Sequence, residues 1–491
     1  MSNAALRAKL ERLRRPGGDG HGALGVAPEP AEELAGPSGP PIGPGAVAAT
    51  QPSGLGRLAG LERALLGAHA DLDGLSLKAR LERLVAVAAQ RERRSRPGVR
   101  PLEELVPGEA VATPRGVFYR TESDVHLDAF HGSLPLARLR SAQPEALRIL
   151  AGEAGLAGFP LEDAAYLDTE TTGLAGGSGT AAFLIGLGFV REGRFVVRQY
   201  FMRDYNEEPA MLEALAADLA GFRHVVTFNG KMFDLPLLEA RYRMNRARFP
   251  LEGAAHLDLL HPARRLWKLR LDSCRLQSLE VALLGLTRHG DIPGEEIPHV
   301  YFRYVRTRDA RALARIFQHN HTDIVSLAAL AALACEWVSD GRAEDPRDVF
   351  SLGRVFERAQ LFERCESEYR RALAGAQGGL RTQALVRLAA QAKRAGDVPR
   401  AAELWEQAAA AGECQAFREL AVLHERRLRD PSQALRVVER GFRELGARDE
   451  RCCRRTLAQF ERRRERLLAK LARAGAATAP ARAAGSRPPR G

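Results

Sequence analysis

Two carboxylates separated by one residue, Asp168 and Glu170, end an apolar run and are followed by Gly173. Because side chains alternate along a β-strand, both carboxylates would point to the same side, roughly 6 to 7 Å apart. Like charges at that distance repel each other unless a cation compensates them, and a metal ion would serve. A lone Asp-x-Glu is also typical of a solvent-facing strand end, so the metal interpretation depends on further acids.

Two later stretches supply those acids. Residues 224–234 indicate a short buried strand, a turn at Asn229-Gly230 and a helix from residue 231, which contributes Asp234. Further on, Asp309 is placed to cap a helix whose apolar stripe includes Asp323. A carboxylate directed toward a core costs several kcal/mol unless it is paired or bound to a metal. Asp323 therefore needs a partner, and the other three acids could share a cation with it.

The combination of acids resembles the DEDD group of 3′-to-5′ exonucleases, whose ribonuclease-H-like fold gathers four carboxylates. Asp168 and Glu170 match the first motif of that group, Asp234 the second and Asp323 the third. Within the group the sequence most resembles the bacterial YprB-like branch, and the likeness covers about residues 100–340. The Gly-rich loop after Glu170 and the spacing His-Asn-x-x-Asp before the last acid carry this likeness.

Four carboxylates suit two Mg²⁺ or Mn²⁺ ions, because these cations prefer oxygen ligands. In a two-metal scheme one ion activates water and the other stabilises the leaving 3′ oxygen. We assign Asp168 to bridging both ions, and Glu170, Asp234 and Asp323 to completing their ligand shells.

The general base is the weakest point of the resemblance. The family has a Tyr four residues before the last Asp or a His five residues before it, whereas here His319 lies four residues before Asp323. His319 shares the face of Asp323 on a helix, and His321 projects to nearly the opposite side. An imidazole accepts a proton at neutral pH, so His319 is assigned as the base. His321, the absence of a base and a surface role for His319 stay open.

Four residues are predicted substrate contacts: Thr171, Asn229, Lys231 and Asn320. Asn229 is equally well explained by bonding its own turn, and Lys231 by exposure to solvent. Residues 241–275 hold nine Lys/Arg against three Asp/Glu. With its interleaved aromatic residues (Tyr242, Phe249 and Trp267), this segment suits binding of a nucleic-acid strand, or else forms a solvated helix face.

The predicted fold is α/β: a ribonuclease-H-like mixed five-stranded sheet with flanking helices, followed by an all-α domain of tetratricopeptide-like (TPR-like) helical repeats. The repeats rest on a pattern that aligns Tyr369 with Trp405 and Val438, at a spacing close to the roughly 34 residues of such repeats. The predicted segments are a disordered N-terminus at 1–55, a helical segment at 56–98, a small β-containing region at 99–158, the ribonuclease-H-like domain at 159–342, TPR-like repeats at 345–474 and a basic disordered tail at 475–491.

The net charge of +12 is unevenly spread, since residues 451–491 hold 12 Lys/Arg against two Asp/Glu. The stretch 160–340 holds 21 basic and 23 acidic residues, so its strand binding must come from local patches. Six scattered cysteines without metal-ligand spacing predict reduced thiols, and no apolar run is long enough to indicate a bilayer span. We expect a cytoplasmic protein with no membrane partner.

These features predict a metal-dependent nuclease, specifically a 3′-to-5′ exonuclease on single-stranded DNA or RNA, joined to repeats that bind a protein partner. The alternative is a non-catalytic scaffold that binds nucleic acid or a partner. The sequence does not decide between DNA and RNA or between exonucleolytic and endonucleolytic cleavage.

Overall fold

A computed structural model describes residues 98–152, 156, 158–173, 179–446 and 451–478 of the chain. The chain divides into two compact units, Met1–Val99 and Arg100–Gly491. The predicted disorder at 1–55, nearly all of the helical segment at 56–98, the centre of the Gly-rich loop and most of the basic tail lie outside the described residues. Almost all of the described residues belong to the second unit.

A mixed seven-stranded sheet forms the centre of this unit, with the strand order β1-β2-β7-β6-β5-β8-β9. Strand β5 pairs antiparallel with β6 and parallel with β8. A short hairpin of β3 and β4 stands apart from the sheet. The strands are β1 Glu109–Thr113, β2 Gly116–His126, β3 Phe130–His131, β4 Leu134–Pro135, β5 Ala165–Thr171, β6 Ala182–Arg191, β7 Arg194–Phe201, β8 His224–Thr227 and β9 Ala255–Asp258.

The five strands predicted from the sequence are β5 to β9, and the mixed sheet is confirmed. The sheet is larger than predicted, because β2 pairs with β7 along its length and adds β1 beyond it. The sheet therefore contains strands from both sides of the boundary predicted at residue 158. Local pattern predicted a β-containing region at 99–158, but the pairing of β2 with β7, a strand far along the chain, is a tertiary contact.

Helices cover the sheet. They are α1 Leu102–Leu105, α2 Arg138–Ser141, α3 Pro144–Ala151, α4 Glu208–Leu219, α5 Asp234–Met244, α6 Leu260–Trp267, α7 Leu276–Leu279, α8 Ile297–Thr307 and α9 Leu313–Asp340. Shorter turns of helix occur at Leu161–Asp163, Tyr205–Glu207 and Gly294–Glu296, and a π-helical turn occupies Glu280–Leu284.

The long helix α9 packs directly on the sheet because two glycines of β6 leave room for it. A Cβ atom on Gly186 would lie 2.4 Å from Oδ1 of Asn320, and one on Gly188 would lie 2.4 Å from Cγ2 of Ile324. Residues two apart on a strand share one face, and residues four apart on a helix share one face. Gly186 and Gly188 therefore face Asn320 and Ile324 in turn. By length and composition α9 could cross a membrane, but 72% of its apolar window is buried inside the protein, as in a core helix.

The start of α9 differs from the prediction. The helix begins at Leu313, and the carboxylate of Asp309 instead accepts hydrogen bonds from the backbone and side chain of Arg311. Asp309 is therefore not its cap.

The C-terminal region is helical, as predicted. Its helices are α10 Pro346–Arg358, α11 Phe362–Gly375, α12 Gly378–Ala395, α13 Val398–Ala410, α14 Cys414–Arg426, α15 Pro431–Leu445 and α16 Arg451–Thr478. Gln360, Gly396 and Arg429 all have a positive φ, and they lie between helices at the predicted repeat spacing. The aligned Tyr369, Trp405 and Val438 are buried on α11, α13 and α15. Their assignment as TPR-like remains a prediction.

The expectation of reduced cysteines is wrong for one pair. Cys414 of α14 and Cys453 of α16 form a disulfide with a Cα–Cα distance of 5.6 Å. Cys274, Cys335 and Cys365 are free, as predicted, and the structure buries all three. The pairing joins α14 to α16, two helices that only the packing of the C-terminal helices brings together.

Candidate metal centre

Strand β5 brings the first two acids to an edge of the sheet. Its first residues are buried, and the pairing with β6 shifts register between Glu170 and Thr171. Strands β8 and β9 run parallel to β5, so the carboxyl ends of all three meet at this edge. Asp168 and Glu170 therefore lie where the turns after β8 and β9 also arrive.

Asp168 is held by a chain of buried side chains. Nδ2 of Asn320 donates to Oδ2 of Asp168 at 2.9 Å, while Nε2 of Gln199 donates to Oδ1 of Asn320 at 2.8 Å. Oγ1 of Thr121, on the added strand β2, donates to Oε1 of Gln199 at 3.0 Å. Asn320 is fully buried. This network fixes the orientation of the Asp168 carboxylate from behind.

Asp234 reaches the same place from the turn after β8. It is the first residue of α5, and its Oδ1 accepts a hydrogen bond from Oγ1 of Thr169 at 2.5 Å. The predicted helix from residue 231 therefore starts later than expected, and Lys231 lies in the turn. The two residues before Asp234, Met232 and Phe233, expose 70% and 57% of their surface.

Asp258, at the end of β9, shapes that turn. Its two carboxylate oxygens accept the backbone N–H groups of Asn229, at 2.7 Å, and Lys231, at 3.1 Å. Asn229 takes a left-handed conformation with φ 68°. Asp258 is therefore a strand-end acid. It fixes the turn that precedes Asp234 and so helps to position that carboxylate.

Asp323 is paired with a guanidinium that the sequence did not indicate. Arg288 contacts Oδ1 of Asp323 and forms a bidentate pair with Glu280 of the π-helical turn, where Nε lies 2.7 Å from Oε2. Nη1 of Arg288 also lies 3.2 Å from Oδ2 of Asp291. The Arg288 and Glu280 side chains are 9% and 1% exposed. Arg288, which belongs to the segment 280–291, thus partly neutralises the charge of Asp323.

His319 lies one turn before Asp323 and points into the cluster. Its Nδ1 is 2.8 Å from Oδ1 of Asp291, while its Nε2 is 3.4 Å from Oδ2 of Asp323 and 3.9 Å from Oε1 of Glu170. Ligand atoms of Glu170, His319 and Asp323 all lie within 4.8 Å of one another. His321 lies on another side of α9, and burial lowers its pKa.

Burial raises the pKa of all four acids, and the charges of neighbouring acids add to this effect at Asp168 and Glu170. Burial, followed by the charges of Asp323 and Asp234, holds the pKa of Asp168 well above its usual range. Burial and the charge of Asp168 do the same to the pKa of Glu170. Burial raises the pKa of Asp234 to about 6 against the hydrogen bond from Thr169, and burial raises that of Asp323 against the charge of Arg288. The fold therefore holds carboxylates together at an electrostatic cost that a divalent cation would relieve.

The predicted substrate contacts fall into two groups. Thr171 is half-buried, and its hydroxyl donates to the carbonyl of Gly173 at 2.9 Å. Thr171 follows Glu170 on β5, and Asn229 and Lys231 lie in the turn before Asp234. Substrate contacts by these three side chains stay predictions. For Asn320 a substrate contact is wrong, because its fully buried amide bonds Asp168 and Gln199.

The aromatic residues of 241–275 are not a stacking surface. Tyr242 and Trp267 are fully buried, because α5 and α6 turn them toward the core. Phe249 is partly buried and packs 5.8 Å, centroid to centroid, from the Tyr242 ring. The exposed apolar side chains near the acids are instead Met232 and Phe233.

Comparison with known proteins agrees with the mixed sheet and its flanking helices. Residues 165–335 match the model of the RNase H superfamily. This part of the chain is an RNase H superfamily domain. The chain is also 37% identical over 174 residues to the uncharacterized protein YprB of Bacillus subtilis (strain 168). That alignment spans 35% of this chain and 42% of the relative's own length.

Sequence reasoning missed the other charged residues that surround the acids of the RNase H domain. Arg288, Glu280 and Asp291 lie in a segment without apolar periodicity and outside the motifs. The one available signal was the density of charge in Thr287-Arg-His-Gly-Asp291. That signal does not reveal which charges point inward.

Proposed function

We propose that this protein is a metal-dependent nuclease, specifically a 3′-to-5′ exonuclease that hydrolyses phosphodiester bonds of single-stranded DNA or RNA with two divalent ions. The RNase H superfamily domain supports a nuclease in general. The observation that carries the proposal is the cluster of four carboxylates, Asp168, Glu170, Asp234 and Asp323, at one edge of its sheet.

The donor set fits Mg²⁺ or Mn²⁺. Oxygen ligands dominate, and burial raises the pKa values of Asp168, Glu170 and Asp234, a cost of ionisation that a bound cation would offset. We assign the four carboxylates to holding two ions, with Asp168 shared between them. Bound there, the ions would promote ionisation of the attacking water and stabilise the charge on the leaving 3′ oxygen.

The protein's own residues divide the remaining work. Asn320 and Gln199 fix the Asp168 carboxylate, and Thr169 fixes Asp234. His319, whose Nε2 faces the cluster, is placed to accept the proton of the attacking water or to bind an ion. Either role requires a fixed orientation of the imidazole ring, and the contact of Nδ1 with Asp291 provides it.

The exonuclease mode and its polarity rest on the resemblance of the four acids to the DEDD pattern. Single strands suit the surroundings, because the exposed ring of Phe233 lies directly before Asp234, and bases stack on aromatic rings without sequence preference. Lys231, in the same turn, is placed for a phosphate contact. The near balance of charge in this domain leaves strand binding to such local contacts.

Cleavage of 5′-labelled single-stranded DNA and RNA with Mn²⁺ tests the proposal. The wild type should give a ladder that shortens from the 3′ end, and a 3′-terminal phosphate should block it. Asp168→Asn should lower the rate by at least about a hundredfold, because a charge that holds the ions is lost. Glu239→Gln, an equivalent change in an exposed ion pair on α5, is the matched control and should keep full activity.

Three outcomes decide between the candidates. Fragments that appear with blocked ends would make the enzyme an endonuclease. A ladder that persists in Asp168→Asn would indicate a contaminant. Strand binding without cleavage by the wild type would favour the non-catalytic scaffold.

For the helices from Pro346 onward we propose a TPR-like role in binding a protein partner, supported by the repeated left-handed turns.

A further inference from the structure

The imidazole of His319 has a fixed orientation. Its side chain is 10% exposed, and Nδ1 lies 2.8 and 3.0 Å from the two carboxylate oxygens of Asp291. Nη1 of Arg288 lies 3.2 Å from the same carboxylate, and a guanidinium at that distance favours the ionised form of Asp291. An ionised carboxylate only accepts hydrogen bonds, so Nδ1 carries a proton and donates it to Asp291.

The opposite nitrogen then faces two carboxylates without a hydrogen bond. In the neutral ring Nε2 holds a lone pair, and it lies 3.4 Å from Asp323 and 3.9 Å from Glu170. Both distances exceed the 2.7–3.2 Å typical of N–H···O hydrogen bonds. Three electron-pair donors therefore converge within 4.8 Å of one another, an arrangement that a cation between them would stabilise.

We infer that Nε2 of His319 is a direct ligand of a divalent cation together with Glu170 and Asp323, and that Asp291 is the residue that orients it. Metal-binding histidines characteristically donate their other ring N–H to a carboxylate, as His319 does. A nitrogen ligand suits Mn²⁺ better than Mg²⁺, which prefers an all-oxygen shell. The inference rests on the proposed function and deepens it by favouring a manganese-type ion at this part of the site.

Arg288 limits the charge of this site. Its guanidinium pairs with Asp323 and Asp291, and both are also close to His319. Nη1 of Arg288 lies 3.4 Å from Nδ1 of His319, but this long contact joins two donors once Nδ1 is protonated. The short contact of Nδ1 is with Asp291, and it leaves Nε2 directed at the cation position.

Pulsed electron paramagnetic resonance of the Mn²⁺-loaded full-length protein tests the inference without relying on activity. We expect a ¹⁴N coupling to the bound Mn²⁺ that disappears when the histidines are labelled with ¹⁵N, which separates imidazole from backbone nitrogen. The coupling should also be absent in His319→Gln. His321→Gln, a change on another side of the same helix, should keep it.

The role of Asp291 has its own measurement. Asp291→Ala should weaken Mn²⁺ binding by about 10- to 100-fold, as other losses of a carboxylate behind a ligating histidine do. Long-range ¹⁵N–¹H spectra of the metal-free proteins should show the Nδ1–H tautomer of His319 in the wild type and a tautomer mixture in Asp291→Ala. An unchanged tautomer would refute the orienting role, even if the variant were destabilised.

The outcomes separate this inference from the proposed nuclease. Mn²⁺ bound without histidine coupling, or no Mn²⁺ bound at all, overturns the inference. Cleavage together with an uncoupled Mn²⁺ would leave the nuclease standing and restrict His319 to the general-base role. A coupled Mn²⁺ without cleavage of any strand would uphold the ligand and refute the nuclease.

Discussion

The buried pair of Arg288 and Glu280 gives a prediction that can be worked out from the structure. Arg288→Met removes the guanidinium, which is 9% exposed, and leaves the Glu280 carboxylate 1% exposed without its bidentate partner. Breaking a buried ion pair by removing one partner typically costs about 3–5 kcal/mol, because the remaining charge is uncompensated. We expect a loss of that size in the free energy of unfolding.

A second substitution separates this mechanism from simple loss of packing. In Arg288→Met with Glu280→Gln, no buried charge remains at position 280, so more than half of the lost stability should return. Relative to Arg288→Met, the double variant should regain about 2–3 kcal/mol, a size typical of the interaction between residues in direct contact.

Equilibrium unfolding in urea with excess EDTA measures both variants. In proteins that all carry Trp405→Phe, the fluorescence of Trp267 and Trp337, whose rings lie 5.7 Å apart, reports on the packing of α6 against α9. Adding Mn²⁺ should stabilise Arg288→Met more than the wild type, because Asp323 has lost its guanidinium. The reasoning is refuted if the single variant loses less than about 1 kcal/mol, well below the usual cost of breaking a buried pair, or if the double variant is no more stable than the single one.

Three further predictions concern other parts of the molecule. In an Asp168→Asn background that prevents cleavage, Phe233→Ala should weaken single-strand binding by about 1–3 kcal/mol in a fluorescence anisotropy titration, and unchanged affinity would exclude stacking on this ring. Gly186→Ala should cost about 1–3 kcal/mol in urea unfolding and weaken Mn²⁺ binding in calorimetry, because the new Cβ would displace the Asn320 amide from the carboxylate it orients. The hydrogen bond from Arg466, with Lys470 and Arg463, lowers the pKa of Glu425 to about 2. The stability that ionised Glu425 contributes is therefore complete above about pH 4.5 and lost as the pH falls toward 2. The difference in unfolding free energy between the wild type and Glu425→Gln should shrink over that window. A difference that does not change with pH would contradict this.

The sequence by itself determined the elements that carry the acids. Asp168 and Glu170 lie on a strand because an apolar run alternates and ends in glycine, and Asp323 lies on α9 because the apolar residues around it recur at helical spacing. The helical character of the C-terminal region was also visible, and Gln360, Gly396 and Arg429, which the predicted repeat places at similar positions, all have a positive φ. These features are local, and local spacing is what a sequence displays directly.

Only the tertiary structure decided which side chains surround the acids. Arg288 and Asp291 reach His319 and Asp323 from a loop that precedes α8, and no periodicity ties that loop to α9. Burial was equally invisible in the sequence, since Trp267 resembles a stacking residue until α6 turns it into the core. Such contacts depend on how elements pack across the sheet, and the energy of that packing is shared among residues far apart in sequence.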